Sequence, residues 1–152
     1  MGFRHAEFYD RLRAAFPTAQ SCDGTVFHGL CDEQVYARAM ELFDGGKRFV
    51  HVMTLDTHLP VRSAEPPSCS TEYAGDPALC GYDRLLGRSL TQLGRALARA
   101  TIKPDVVYVY GDHAPPFATQ ASRQVFDAGR VPFLTLTRRR VPPGTPAGAA
   151  AR

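Results

Sequence analysis

Asp112 and His113 stand side by side in the stretch DVVYVYGDHAPPF, residues 105–117. A carboxylate next to an imidazole can ligate one divalent cation, and that donor mix favours zinc or manganese over calcium. Before them runs an apolar and aromatic segment, residues 106–110, ended by Gly111. A continuously apolar run predicts a strand buried on both faces, as in a parallel sheet covered by helices. Open α/β sheets bind ligands beyond the carboxyl ends of their strands, which is where this pair falls. Pro115 and Pro116 stiffen the exit and forbid an immediate helix. The competing reading is an Asp turn beside a solvent-exposed His.

A second apolar run, RFVHVMTL at 48–55, also ends in polar groups: Asp56, Thr57 and His58, then Leu59 and Pro60. It is expected to be another buried parallel strand. Two such strands would bring His58 and His113 to one edge of the sheet. The alternative for His58 is a turn residue that merely caps the strand. His51, inside the run, is expected to be a satisfied core histidine.

Helices must carry these strands. Residues 5–16 place Phe8, Leu12, Ala15 and Phe16 on one stripe, and Pro17 ends it. Asp32 is a suitable N-cap for a helix to about residue 43, with Val35, Ala39 and Leu42 inward and Gly45-Gly46 as the stop. Residues 61–79, with Pro66, Pro67, Gly75 and Pro77, read as a long surface loop. The strongest helical pattern lies at 82–100, where Leu86, Leu90, Leu93 and Leu97 repeat at helical spacing. Strand, helix, strand predicts a right-handed βαβ crossover. A short helix is expected at 120–127 and a third strand at 131–136.

At 152 residues the chain fits one domain with a real core. The expected division is an α/β body over 1–136 and a disordered basic Pro/Gly/Ala tail over 137–152. The net charge of +3 falls to −1 without Arg138, Arg139, Arg140 and Arg152. No aromatic residues interleave those arginines, so nucleic acid is not an expected partner. No apolar run approaches the ~20 residues of a membrane span. The first residues are amphipathic and charged and carry no export signal.

Cys22, Cys31, Cys69 and Cys80 lack CxxC spacing, which argues against a structural zinc site. Neighbouring pairs would close short loops, Cys22 with Cys31 and Cys69 with Cys80. Four cysteines allow three pairings, and all remain open. Oxidised, they imply a parent protein working outside the cytoplasm; reduced, a cytosolic one.

The order of these motifs resembles the later part of the sulfatase/alkaline-phosphatase superfamily, in the branch of phosphoethanolamine transferases and lipoteichoic acid synthases. The likeness is carried by Cys31-Asp32-Glu33 and by TLDTHLP with Thr57, His58 and Pro60. Further along come Tyr82-Asp83, Gly111-Asp112-His113-Ala114 and Val131-Pro132-Phe133. It covers roughly residues 20–136, in collinear order. The resemblance implies a partial three-layer sandwich with a mainly parallel sheet flanked by helices. It implies Asp112 and His113 as ligands of a divalent metal, zinc or manganese, and His58 as a contact to the transferred phosphoryl group. It also implies a two-step displacement through a covalent intermediate. The family's nucleophile and an acidic metal ligand lie upstream of the matching region, so this chain holds no nucleophile. No His follows His113, which leans the likeness toward the lipoteichoic acid synthases.

The expected function is therefore the C-terminal portion of a periplasmic or otherwise extracytoplasmic metal-dependent phospho-group transferase or hydrolase. It would act on an envelope phospholipid or glycan and be inactive alone. Its expected partner is the missing N-terminal half or a membrane-anchored protein. Two alternatives stand beside it: a non-catalytic interaction module that retains the fold, and a small cytosolic metal-dependent phosphohydrolase.

Overall fold

The structure, a computed structural model, describes residues 3–19, 22, 29–46, 49–60 and 75–138. Two helices packed on each other form its centre. Helix α1 spans Tyr9–Ala15 and buries nothing. Phe8, expected on its inner stripe, is 78% exposed. Glu7, just ahead of the helix, ties this segment to Arg38 through two hydrogen bonds of 2.8 and 2.7 Å.

Helix α2 spans Asp32–Asp44 and turns Asp32, Tyr36 and Ala39 inward, a spacing of four and three residues. The N-cap is Cys31, without a side-chain cap bond, and Asp32 is the first helical residue. The capping role expected of Asp32 is thus replaced by a longer-range one, described below. The helix stops where Gly45 donates to Glu41 and Gly46 adopts φ of +90°, a conformation that costs glycine little.

Helix α3 spans Pro77–Arg99 and packs against α2. It begins five residues earlier than the leucine pattern predicts. The Asp76 carboxylate accepts from the Ala78 and Leu79 amides, and Pro77 sits where its missing N–H is harmless. Residues 77–79, read as loop because of local Pro and Gly density, are therefore helical. The buried row is Leu79, Leu85, Ser89 and Leu93, which shares only Leu93 with the leucine repeat, and Leu90 is 37% exposed. Ser89 displaces the row because its hydroxyl bonds to Asp32 of α2, and Tyr36 of α2 shares it.

Strands β1, Val106–Tyr110, and β2, Phe133–Thr137, form a two-stranded antiparallel sheet with Val106 opposite Thr137 and Tyr110 opposite Phe133. Helix α4, Gln120–Gln124, lies between them in sequence and is shorter than expected. The molecule is a mixed α/β structure, and among the described residues there is no parallel sheet, no sandwich and no βαβ crossover.

That corrects the expected architecture, for a physical reason. β1 is not buried on both faces: Val106, Tyr108 and Tyr110 are 43, 59 and 54% exposed. The residues of β2 are exposed throughout. Residues 49–55 keep the alternating exposure of an extended chain but form no strand ladder, with Phe49 and Met53 70 and 72% exposed. This segment reaches β1 through a side-chain bond, His51 Nε2 to the Tyr110 hydroxyl at 3.0 Å. His51 is accordingly exposed, not in the core.

The remaining core is Leu30, Ala100 and Phe117, with Tyr82 edge-on to Phe117 and to Phe126. Residues 61–74 and 139–152 lie outside the described residues, and with them most of the expected loop and tail.

Candidate functional site

β1 ends at Tyr110, and Gly111 continues the ladder by donating its amide to the Pro132 carbonyl at 3.1 Å. The next side chains, Asp112 and His113, are 80 and 56% exposed. His113 Nδ1 donates to the Ala114 carbonyl at 2.9 Å, since a carbonyl only accepts. That leaves Nε2 as the nitrogen able to ligate, 3.7 Å from Asp112 Oδ1. Metal-binding histidines are commonly held this way, one ring nitrogen on a backbone carbonyl and the other on the cation. The spacing is less than twice the usual zinc–ligand distance of about 2.1 Å, so one cation reaches both atoms. Such a pair could supply two of the three or so protein ligands that a catalytic metal site uses.

Burial raises the Tyr82 pKa, and the Asp112 charge adds to the rise.

His58 is held by a different device. Its amide donates to the Leu55 carbonyl at 3.0 Å, closing a turn, and its Nδ1 donates to the Leu59 carbonyl at 2.6 Å. The turn is fixed to α2 by two fully buried carboxylates. Asp32 Oδ1 accepts from the backbone amides of Leu55 and Asp56, both at 3.2 Å, and Asp56 Oδ2 accepts from the amide of Asp32 at 3.0 Å. Asp32 Oδ2 takes the Ser89 hydroxyl at 2.6 Å, so α3 joins the same network. Burial raises the Asp56 pKa, the neighbouring Asp32 charge raises it further, and the Asp32 amide and Arg88 pull it down. Arg88 stands 3.7 Å from Asp56 Oδ2.

Cys22 and Cys31 are joined in a disulfide with Cα atoms 4.8 Å apart, one of the pairings left open by the sequence. Cys80 is disulfide-bonded as well, while Cys69, its expected partner, lies outside the described residues. Cys22 Sγ lies 3.1 Å from Asp56 Oδ2; a disulfide sulfur has no proton, so this is a contact and not a hydrogen bond.

Asp112 and His113 are therefore brought together, and His58 is set on an anchored turn. Among the described residues these three do not form a converging ligand group. Among the described residues, Cys22, Cys31 and Asp56 do, with ligand atoms that all lie within 4.8 Å of one another. Sequence reasoning gave Asp56 no role beyond ending a strand. No local pattern marks it, because its neighbours Asp32, Cys22 and Cys31 come from distant parts of the sequence.

No described helix is long and apolar enough to cross a membrane. Comparison of the chain with protein-family models, with curated proteins and with solved structures returns no match.

Proposed function

We propose that this chain is the C-terminal portion of a metal-dependent phospho-group transferase or hydrolase of the sulfatase/alkaline-phosphatase superfamily. Its substrate would be a phospholipid or glycan of the cell envelope, and the parent protein would be periplasmic or otherwise extracytoplasmic. The observation that carries this reading is the strand-end pair, with Asp112 Oδ1 and His113 Nε2 exposed and 3.7 Å apart. The ordered set of motifs from Cys31 to Phe133 supports it.

In this reading Asp112 and His113 hold a zinc or manganese ion together with ligands from another segment. The ion supplies charge for the nucleophile and for the equatorial phosphoryl oxygens. His58 meets the phosphoryl oxygens or the leaving group, and the Asp32–Asp56 pair positions its turn. No residue here serves as nucleophile, so the chain alone is inactive and binds metal weakly. The test is calorimetry with zinc and with manganese on the oxidised chain, alongside p-nitrophenyl phosphate turnover. Weak binding lost in Asp112→Ala, with negligible turnover, supports the reading. Tight 1:1 binding or turnover by the chain alone would sink it in favour of a self-contained phosphohydrolase.

A second reading has its own observation. Tyr108, Tyr110, Phe133 and Leu134 of the small sheet are 59, 54, 64 and 42% exposed, and exposed apolar and aromatic side chains gathered on one element mark interaction sites. Such a sheet suits a non-catalytic module that docks on a partner. The missing N-terminal half of the first reading would cover the same residues.

A further inference from the structure

We propose that reduction of the Cys22–Cys31 disulfide creates a binding site for a thiophilic divalent cation, zinc foremost, formed by both thiolates and the Asp56 carboxylate. The bridge in its oxidised form closes that site. This inference stands apart from Asp112 and His113 and does not depend on the function proposed above.

Three observations carry it. The ligand atoms of Cys22, Cys31 and Asp56 already lie within 4.8 Å of one another. Tetrahedral zinc with sulfur ligands at about 2.3 Å needs donor separations of about 3.8 Å, so small side-chain movements suffice. Asp56 is 1% exposed, and its Oδ1 is buried without a hydrogen-bond partner. A buried carboxylate oxygen lacking a donor is unfavourable, and a cation against the carboxylate would offset that cost. Oδ2 is the oxygen placed to ligate, 3.1 Å from Cys22 Sγ, and the Asp32 amide steadies it, the kind of support that orients ligating carboxylates.

The surrounding charge is consistent with the assignment. Cys31 is the N-cap of the 13-residue α2, and a helix amino terminus favours negative charge. Arg88 lies 3.7 Å from Asp56 Oδ2 and 4.0 Å from Cys22 Sγ. Two thiolates, one carboxylate and a dication sum to one negative charge, and the Arg88 guanidinium and the Asp32 carboxylate stand beside them. While the disulfide is intact the sulfurs are not thiolates and cannot ligate.

The chemistry balances with a trialkylphosphine as reductant. The phosphine gives an electron pair to the S–S bond, water supplies two protons to the sulfurs, and its oxygen ends in the phosphine oxide. Zinc then replaces the two thiol protons, which are released to solvent.

The experiment uses the full chain carrying Cys69→Ser and Cys80→Ser, reduced with the phosphine, desalted and titrated with cobalt(II) as the spectroscopic probe. One equivalent should produce a thiolate-to-cobalt charge-transfer band with tetrahedral ligand-field bands, and zinc should erase both. Asp56→Ala should weaken binding at least about tenfold while keeping the band. The oxidised chain should give no band, and Asp112→Ala should leave it unchanged, which separates this site from the strand-end pair. Circular dichroism follows folding throughout. If the reduced chain unfolds, recovery of helix on adding zinc supports the site. If the serine variant does not fold, the wild-type chain and its Asp56→Ala variant carry the same comparison. A folded reduced chain without the band, binding indifferent to Asp56→Ala, or failure of zinc to restore helix overturns the proposal.

Discussion

Asp32 and Asp56 hold each other by the backbone: each carboxylate accepts the amide of the other residue, at 3.2 and 3.0 Å. Both side chains are buried, at 0 and 1% exposure. The exchange fastens the first turn of α2 to the turn bearing His58. A third group, the Ser89 hydroxyl, brings in α3.

Replacing Asp32 by Ala should therefore be among the most damaging single changes. It strands the amides of Leu55 and Asp56, both bonded to that carboxylate, and leaves the Ser89 hydroxyl with Tyr36 as its partner. Each buried donor left without a partner costs about 1–3 kcal/mol, so a loss of about 2–4 kcal/mol is expected after relaxation. Urea denaturation should show a lower midpoint at unchanged slope. Asp32→Asn, which keeps one acceptor oxygen, should lose less.

Glu7 sets an acid limit on the attachment of the N-terminal segment. The Arg38 hydrogen bonds, then that of His5, hold its pKa down to about 2 from 4.5. A carboxylate with a depressed folded pKa contributes stability that is complete above about pH 4.5 and lost as pH falls toward 2. The pair is charge-assisted and two-pronged, and should be worth about 1–2 kcal/mol. Glu7→Gln should flatten the dependence of stability on pH between 5 and 2, and lower the unfolding free energy at neutral pH by that amount. Acid titrations followed by circular dichroism measure both.

Asp76 joins two helices. It caps α3 through the Ala78 and Leu79 amides, and its other oxygen takes the Ser122 hydroxyl of α4 at 2.5 Å. Those bonds lower its pKa, Ser122 contributing most. Asp76→Ala should cost about 1–2 kcal/mol. Amide exchange should accelerate first at Ala78 and Leu79, and Ser122→Ala should loosen α4 without that signature.

The sheet should make the chain associate. Tyr108 stacks on Phe133 with ring centroids 5.7 Å apart, yet they are 59 and 64% exposed. Sedimentation velocity should show reversible self-association, reduced by Tyr108→Lys or Phe133→Lys. A strictly monomeric wild-type chain would contradict the idea that this face needs a cover.

The parts of the fold legible in the sequence were those whose cause is local. α2 is announced by its apolar spacing and the Gly45-Gly46 stop, and the body of α3 by its leucines. The amino end of α3 was legible too, in Asp76-Pro77, but the neighbouring Pro and Gly masked it. Sheet architecture was not legible. An apolar run such as residues 106–110 looks the same whether strands flank it or water does, because burial is decided by distant segments. Ser89 in the buried row and Asp32 in the core are of the same kind, since only their meeting across α2 and α3 makes either position favourable. The strand-end pair could be singled out from position alone, whereas Asp56 beside a disulfide could not.

Manganese relaxation tests the central claim most directly. Substoichiometric manganese(II) added to the isotopically labelled, oxidised chain broadens amide signals near wherever it binds. Selective broadening at residues 111–114, lost in Asp112→Ala, is the result expected of a cation held by Asp112 and His113. Broadening that leaves 111–114 sharp, or that survives Asp112→Ala, would contradict it.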